Sequence, residues 1–340
     1  MRKGKLFILR IVIPAFAFFL TLILVLGFDT YLHKRHEKTF GLNIWGYRGA
    51  IVKHKQPGEK RMVILGGSTA FGYGVNPEHA FPAYLERKLN ERHYKEKPGP
   101  ITVVNLAFNN QGAYSFLFTL RDYDYLDYDG AIFYEGYNDL GAVPNKSLFR
   151  HDSPIFRLTG YYPIFPLILT EKAMALRYGG DMDAAYRKQD TAFKPNLADR
   201  ASASALEAGV KITQSLERQL GVLTQKPTLD MTPTSIDCPE PWAHYCQSVY
   251  LAADYMLKRN KRVLVVTQPY VSDRHVEQQR FLLNMINNRL IENPNFRYVN
   301  LGLSIDLKDK GLAYDGLHLT AQGNEHMANR LLEAVIEVVQ

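Results

Sequence analysis

Cysteine is almost absent from the 340 residues, with only Cys238 and Cys246, which excludes a disulfide-stapled scaffold and a cysteine-rich zinc module. The two lie in CPEPWAHYC, where either a disulfide suited to an oxidising compartment or a pair of reduced thiols would fit. Only His244 stands between them as a further ligand, and that spacing matches no common zinc finger. Internal repeats and low-complexity arrays are missing too. With 46% hydrophobic and 22% charged residues, the chain falls outside the disordered and fibrous classes.

A different absence marks the N-terminus. From Ile11 to Phe28 the run IVIPAFAFFLTLILVLGF carries no charge, and as a helix it would measure about 27 Å. Leu6 to Leu9 extend it if Arg10 snorkels. The following LVLGFDTYL offers no small-x-small cleavage site, and the run is longer than the core of a signal peptide. Residues 1–30 therefore read as a retained, single-pass signal anchor rather than a cleaved signal. Arg2, Lys3, Lys5 and Arg10 precede the span while Lys34, Arg35 and Lys38 follow it, a narrow positive-inside bias toward a cytoplasmic N-terminus and an extracytoplasmic body. Surplus charge is scarce beyond this region. Of the net +7, residues 1–38 supply five, from seven Lys or Arg against two Asp or Glu, so only two remain for the rest. Anionic lipid headgroups account for such a basic excess, which gives no nucleic-acid signal.

After a polar linker over 31–60, short apolar and β-branched runs recur at 62–67, 101–107, 131–135, 262–268 and 296–301, bounded by Gly, Pro, Asn or charged residues. Helical spacing fills the gaps at 77–92, 247–258, 277–291 and 321–339. Strands alternating with helices predict an α/β fold: a three-layer α/β/α, flavodoxin-like, doubly wound parallel sheet over 61–340. One interval breaks the rhythm. Residues 140–245 form a connection far beyond the usual length, with SPIFRLTGYYPIFPLIL, a helical pattern at 199–219 and the tail KPTLDMTPTSIDCPEP. It reads as an inserted lid or substrate-contacting subdomain, or else as a packing elaboration.

Directly after the first strand comes GGSTAFGYG, residues 66–74. It lacks the lysine a P-loop needs to reach phosphates, and Gly72-Tyr73-Gly74 lacks the third glycine of a dinucleotide fingerprint. What remains is a nucleophile, Ser68, which requires a base. Asp315-Gly316-Leu317-His318 supplies one: Asp and His three apart in a turn can meet, the carboxylate fixing the imidazole tautomer. The strand at 131–134 runs into Gly136-Tyr137-Asn138-Asp139, whose side-chain amide at Asn138 can donate to a developing oxyanion. After the second strand, Gly112 offers a bare backbone that permits close approach of an N–H.

These four segments, in this order and each after a strand, resemble the blocks of the SGNH (GDSL-type) hydrolase family. The resemblance spans residues 61–340 apart from most of 140–245. It implies Ser68 as nucleophile, His318 as base and then acid, Asp315 as the orienting carboxylate, and an oxyanion hole from the Ser68 N–H, the Gly112 N–H and the Asn138 amide. It implies a serine esterase acting on ester-bearing substrates such as an acetylated glycan or lipid, with no cofactor and no metal. Two departures stand out. The first block reads GGST, without the acidic neighbour of GDS, and the family often places its glycine five residues after the asparagine, where this chain has Asn110; Gly112 lies two further on.

Blander readings sit beside these. An α/β-hydrolase shares the order Ser, Asp, His, but its elbow follows several strands rather than the first. Asn138 and Asp139 could cap a helix, Asp315 could cap the last one, His79 could line the cleft but reads as structural, and His326 reads as a surface residue of the last helix. Tyr73 and Tyr137 either shape the pocket or simply pack. Thr69 and the later glycines read as turn residues. Beyond an esterase, the same acyl-enzyme could serve an O-acyltransferase on envelope polysaccharide, and the domain could be inactive and bind glycan or protein.

Overall fold

The computed structural model describes residues 2–93, 99–180, 185, 193–223 and 238–339; most of the Pro/Thr-rich tail before Cys238 lies outside them. Five strands form one sheet: β1 Lys60–Gly66, β2 Ile101–Asn105, β3 Gly130–Tyr134, β4 Arg262–Thr267 and β5 Phe296–Asn300. Their order is β2-β1-β3-β4-β5 and every pairing is parallel. The α/β parallel sheet read from the sequence is thus present, with strand ends within two residues of expectation.

In β3 every residue is buried, and in β1 all but Lys60, because helices cover both faces of the sheet. On one face, α3 (Phe81–His93) buries Phe81, Leu85 and Leu89 against α11 (Ala321–Val339), which buries Met327, Leu331 and Val335. On the other, α4 (Ser115–Asp122), α9 (Ala243–Leu257) and α10 (Asp273–Arg289) pack in succession. Right-handed crossovers dictate this split: the chain steps from β1 to β2 in one direction and from β2 onward to β3, β4 and β5 in the other. The reversal opens a crevice at the carboxyl ends of β1 and β3.

The chain divides into two compact units, one of Glu37–Gly160 with Lys226–Gln340 and one of Met1–His36 with Tyr161–Gln225. In the sheet unit, residues expected as linker are built in: Leu42, Tyr47 and Arg48 are buried, and Arg48 bridges to Asn105 of β2. Two short helices, α5 (Phe149–Asp152) and α6 (Pro154–Thr159), belong to it as well. Cys238 and Cys246 are joined as a disulfide.

The other unit contains α1 (Arg2–Arg35), α7 (Phe165–Tyr178) and α8 (Leu197–Leu223). Residues 12–28 of α1 are exposed, and Val12–Arg35 is long and apolar enough to cross a membrane, with mean hydropathy 2.3. Polarity returns abruptly at Asp29. Its carboxylate, 2% exposed, accepts the Tyr161 hydroxyl and, at 2.5 Å, the Phe165 N–H, one of the orphan amides at the start of α7. His33, one turn on, bonds the Tyr162 carbonyl at 3.0 Å. α7 and α8 pack together, tied by a two-pronged Arg177–Glu207 pair at 2.6 and 2.7 Å.

Candidate active site

β1 ends at Gly66, and after Gly67 the chain turns at once into α2 (Ser68–Phe71), which puts Ser68 at a helix start on the crevice. The turn requires glycine. A Cβ on Gly67 would sit 2.0 Å from Asn138 Nδ2 and 2.7 Å from Glu135 Oε2, so the GGST block is shaped by the segment after β3. The short helix is pinned from behind. Asn105 Nδ2 donates to the Ala70 carbonyl at 3.1 Å, and the buried Arg48 guanidinium donates to the carbonyls of Phe71 and, at 2.7 Å, Gly72 while lying over the Phe71 ring. Burial lowers the Arg48 pKa to about 9. Thr69 is more than a turn residue: it is buried in α2, and its hydroxyl accepts the Gln268 amide at 2.7 Å. Gln268 in turn accepts the Tyr137 N–H at 3.1 Å, joining the ends of β1, β3 and β4.

The turn 315–318 comes to the same place. His318 Nε2 lies 2.8 Å from Ser68 Oγ, and His318 Nδ1 lies 2.7 Å from Asp315 Oδ2. With Nδ1 donating to the carboxylate, the Nε2 lone pair faces the serine hydroxyl. Asp315 Oδ1 accepts the N–H groups of Leu317 and His318 at 3.0 and 2.7 Å. Partial burial works to raise the Asp315 pKa, but the bonds from the His318 ring and these two amides outweigh it and hold the carboxyl below its ordinary range. Tyr73 and Tyr314, 42% and 39% exposed, flank the imidazole with ring centroids at 5.0 and 6.0 Å. Tyr137 is different: its hydroxyl is committed to the Pro269 carbonyl.

Asn138, on a single 3-10 turn over Tyr137–Asp139, donates its amide to the Gln111 carbonyl at 2.9 Å. Gln111 is held by Arg150 of α5, which also grips the Leu106 carbonyl at 2.6 Å. Gly112 sits where a Cβ would meet the Asp139 carboxylate at 2.5 Å, and Asp139 accepts the Ala113 N–H at 2.9 Å. Close approach, not a left-handed backbone, makes glycine necessary there. The left-handed position is Asn110, with φ +58°, five residues after Asn105.

The tertiary structure thus brings Ser68, His318 and Asp315 into one hydrogen-bonded chain, sets the Asn138 amide against Gly67, and stacks Gly112 on Asp139. His79 stays outside, exposed and bonded to the Tyr84 hydroxyl, and His326 bonds Arg330 within α11. Among the described residues no cluster of three or more His, Cys, Asp or Glu is arranged to hold a metal. Beside the turn 315–318 a cleft of about 600 Å³ is lined by Tyr270, Val271, Leu303, Ile305, Leu307 and Gly316, among others. Sequence reasoning passed over Arg48, Gln111, Gln268 and Glu135. Gln111, Gln268 and Glu135 have only their position as a signal, next to a strand end or a glycine of the blocks, and Arg48, in the segment read as linker, has none.

No protein-family model matches the chain, and no curated protein matches it by sequence. Among solved structures it is similar to a lipase/acylhydrolase from Enterococcus faecalis, at 11% identity over 83% of this chain and 97% of that one, with a TM-score of 0.44. It is likewise similar to a psychrotrophic esterase from Pseudoalteromonas, at 10% identity over 82% and 97%, TM-score 0.44. A catalytic mutant of an acetylxylan esterase from Geobacillus stearothermophilus aligns at 12% identity over 85% and 96%, TM-score 0.41.

Proposed function

We propose that the protein is a membrane-anchored serine esterase of the SGNH type. The continuous chain Asp315–His318–Ser68 carries this reading. As Ser68 Oγ attacks an ester carbonyl, its proton passes to His318 Nε2, and Asp315 stabilises the imidazolium. The oxyanion is received by the Ser68 and Gly112 N–H groups and the Asn138 amide. Collapse of the tetrahedral intermediate expels the alcohol, which takes the proton from His318. Water then attacks the acyl-enzyme by the same route, returning the proton to Ser68 and releasing the acid.

The exposed rings of Tyr73 and Tyr314 beside the imidazole support an acetylated sugar as substrate, since an aromatic face suits the apolar face of a pyranose. They equally favour a sugar hydroxyl in place of water, which would make the same acyl-enzyme an O-acyltransferase. The Cys238–Cys246 disulfide and the apolar helix support an extracytoplasmic catalytic unit on a single-pass anchor. The test is turnover of p-nitrophenyl acetate and labelling by a fluorophosphonate, wild type against Ser68→Ala. Activity or labelling that survives the substitution, or a wild type with neither, overturns the reading. Acetyl transfer that depends on an added glycan separates transferase from esterase.

A further inference from the structure

Two carboxyls that the hydrolytic chemistry does not use are buried directly behind the oxyanion-binding segments. Glu135, 3% exposed, follows the last residue of β3, and its Oε1 accepts the N–H groups of Gly136 and Asn138 at 3.0 and 3.1 Å. Its Oε2 has no hydrogen-bond partner and lies against Gly67, just before the nucleophile. Asp139, 9% exposed, accepts the Ala113 N–H and packs on Gly112. One carboxyl therefore shapes the segment carrying Asn138, and the other holds the segment carrying Gly112.

We propose that Glu135 and Asp139 are positioning residues that together set the oxyanion hole, fixing the backbone on either side of Asn138 and Gly112 from within the core. The inference rests on the esterase reading. The carboxylates touch no substrate; they act by holding amides whose displacement by about 1 Å can cost ~100-fold in rate.

Their surroundings also favour a bound proton. Burial, and for Glu135 the neighbouring Asp139, push both carboxyls above their ordinary range. The titratable groups facing them are the phenols of Tyr134, Tyr137 and Tyr245, and His275, whose ring lies against Gly136; burial holds all four neutral. No counter-charge among these would stabilise two carboxylates, so ionisation at rising pH would drive the pair apart and disturb the loops they hold. Glu135→Gln keeps an amide oxygen for the two N–H groups and cannot ionise.

The experiment compares wild type, Glu135→Ala, Glu135→Gln and Asp139→Asn on p-nitrophenyl acetate from pH 5 to pH 9, with kcat and KM separated. Fluorophosphonate labelling and thermal unfolding are run alongside. Labelled, active wild type establishes the esterase reading independently. The expected result is that Glu135→Ala lowers kcat by about 100-fold with KM within threefold, in line with a misplaced oxyanion donor. Wild-type kcat should fall on the alkaline side, and Glu135→Gln should recover most of the loss and flatten that fall. Identical pH profiles for wild type and Glu135→Gln, or a folded Glu135→Ala with unchanged kcat, would overturn the proposal. If Glu135→Ala does not fold, Asp139→Asn and Glu135→Gln decide by the same criteria.

Discussion

His318 Nε2 and Ser68 Oγ lie 2.8 Å apart although 250 residues separate them in the chain. The contact exists because β1 and the segment after β5 both deliver their loops to one end of a parallel sheet. Ser68→Ala and His318→Ala should each cut kcat by at least about 10⁴-fold while leaving the unfolding midpoint within a few degrees. Asp315→Asn should cost about 10⁴-fold in kcat with KM little changed, because the imidazole loses its orienting charge. Steady-state kinetics with p-nitrophenyl acetate and a thermal melt check all three.

The Asn138 amide rests against Gly67, so two substitutions should probe one contact from opposite sides. Asn138→Ala should lower kcat about 100-fold through loss of an oxyanion donor, with folding intact. Gly67→Ala should do more. A methyl group 2.0 Å from the amide nitrogen forces the loops apart, so activity and stability should fall together, the latter by about 1–3 kcal/mol. A stable, active Gly67→Ala protein would contradict this packing.

Stability should depend on pH in a predictable direction. Burial lowers the pKa of His275 to about 4, against 6.5 for an exposed imidazole, and neither ring nitrogen has a partner. Between those values the unfolded chain binds a proton that the folded one refuses. The His275 contribution to the unfolding free energy should therefore drop by about 1.4 kcal/mol per pH unit as pH falls through this window. The full contribution is present above pH 6.5. Over the same range the raised carboxyls of Glu135 and Asp139 contribute slopes of opposite sign, so the His275 contribution is read as the difference between wild type and His275→Gln in urea titrations from pH 4 to pH 7.

The disulfide ties Cys238, before α9, to Cys246 in its first turn, and a closed loop of this size stabilises by about 2–3 kcal/mol in the chain-entropy account. Dithiothreitol should lower the unfolding midpoint of the wild type and leave that of a Cys238→Ser, Cys246→Ser double variant unchanged. Thiol titration of unreduced protein should find no free cysteine.

In the helical unit, Asp29 joins α1 to α7 through the Tyr161 hydroxyl and the Phe165 N–H. Asp29→Ala would leave both donors without this acceptor, a cost of about 1–3 kcal/mol. Detergent-solubilised protein carrying the change should be cleaved faster by trypsin within residues 161–223, with esterase turnover measured in parallel as a control for folding.

Much of this molecule is local information. The charge-free run from Ile11 to Phe28 marks a helix able to span a bilayer, the β-branched runs mark buried strands, and a serine at a Gly-Gly turn with Asp and His three apart suggests a nucleophile and its base. These features depend on residues near one another, so periodicity and spacing expose them. What tertiary structure alone decided is how distant pieces constrain each other. Gly67 and Gly112 are glycines because Asn138 and Asp139 occupy the space a Cβ would take. Thr69 is a core residue because Gln268, 199 positions on, reaches its hydroxyl. Arg48, in a segment that reads as linker, holds the helix that starts at Ser68, while Glu135, three residues before Asn138, accepts the Gly136 and Asn138 N–H groups. A buried polar group must find its partner wherever the fold brings one, and nothing in the one-dimensional order of the chain states which that will be.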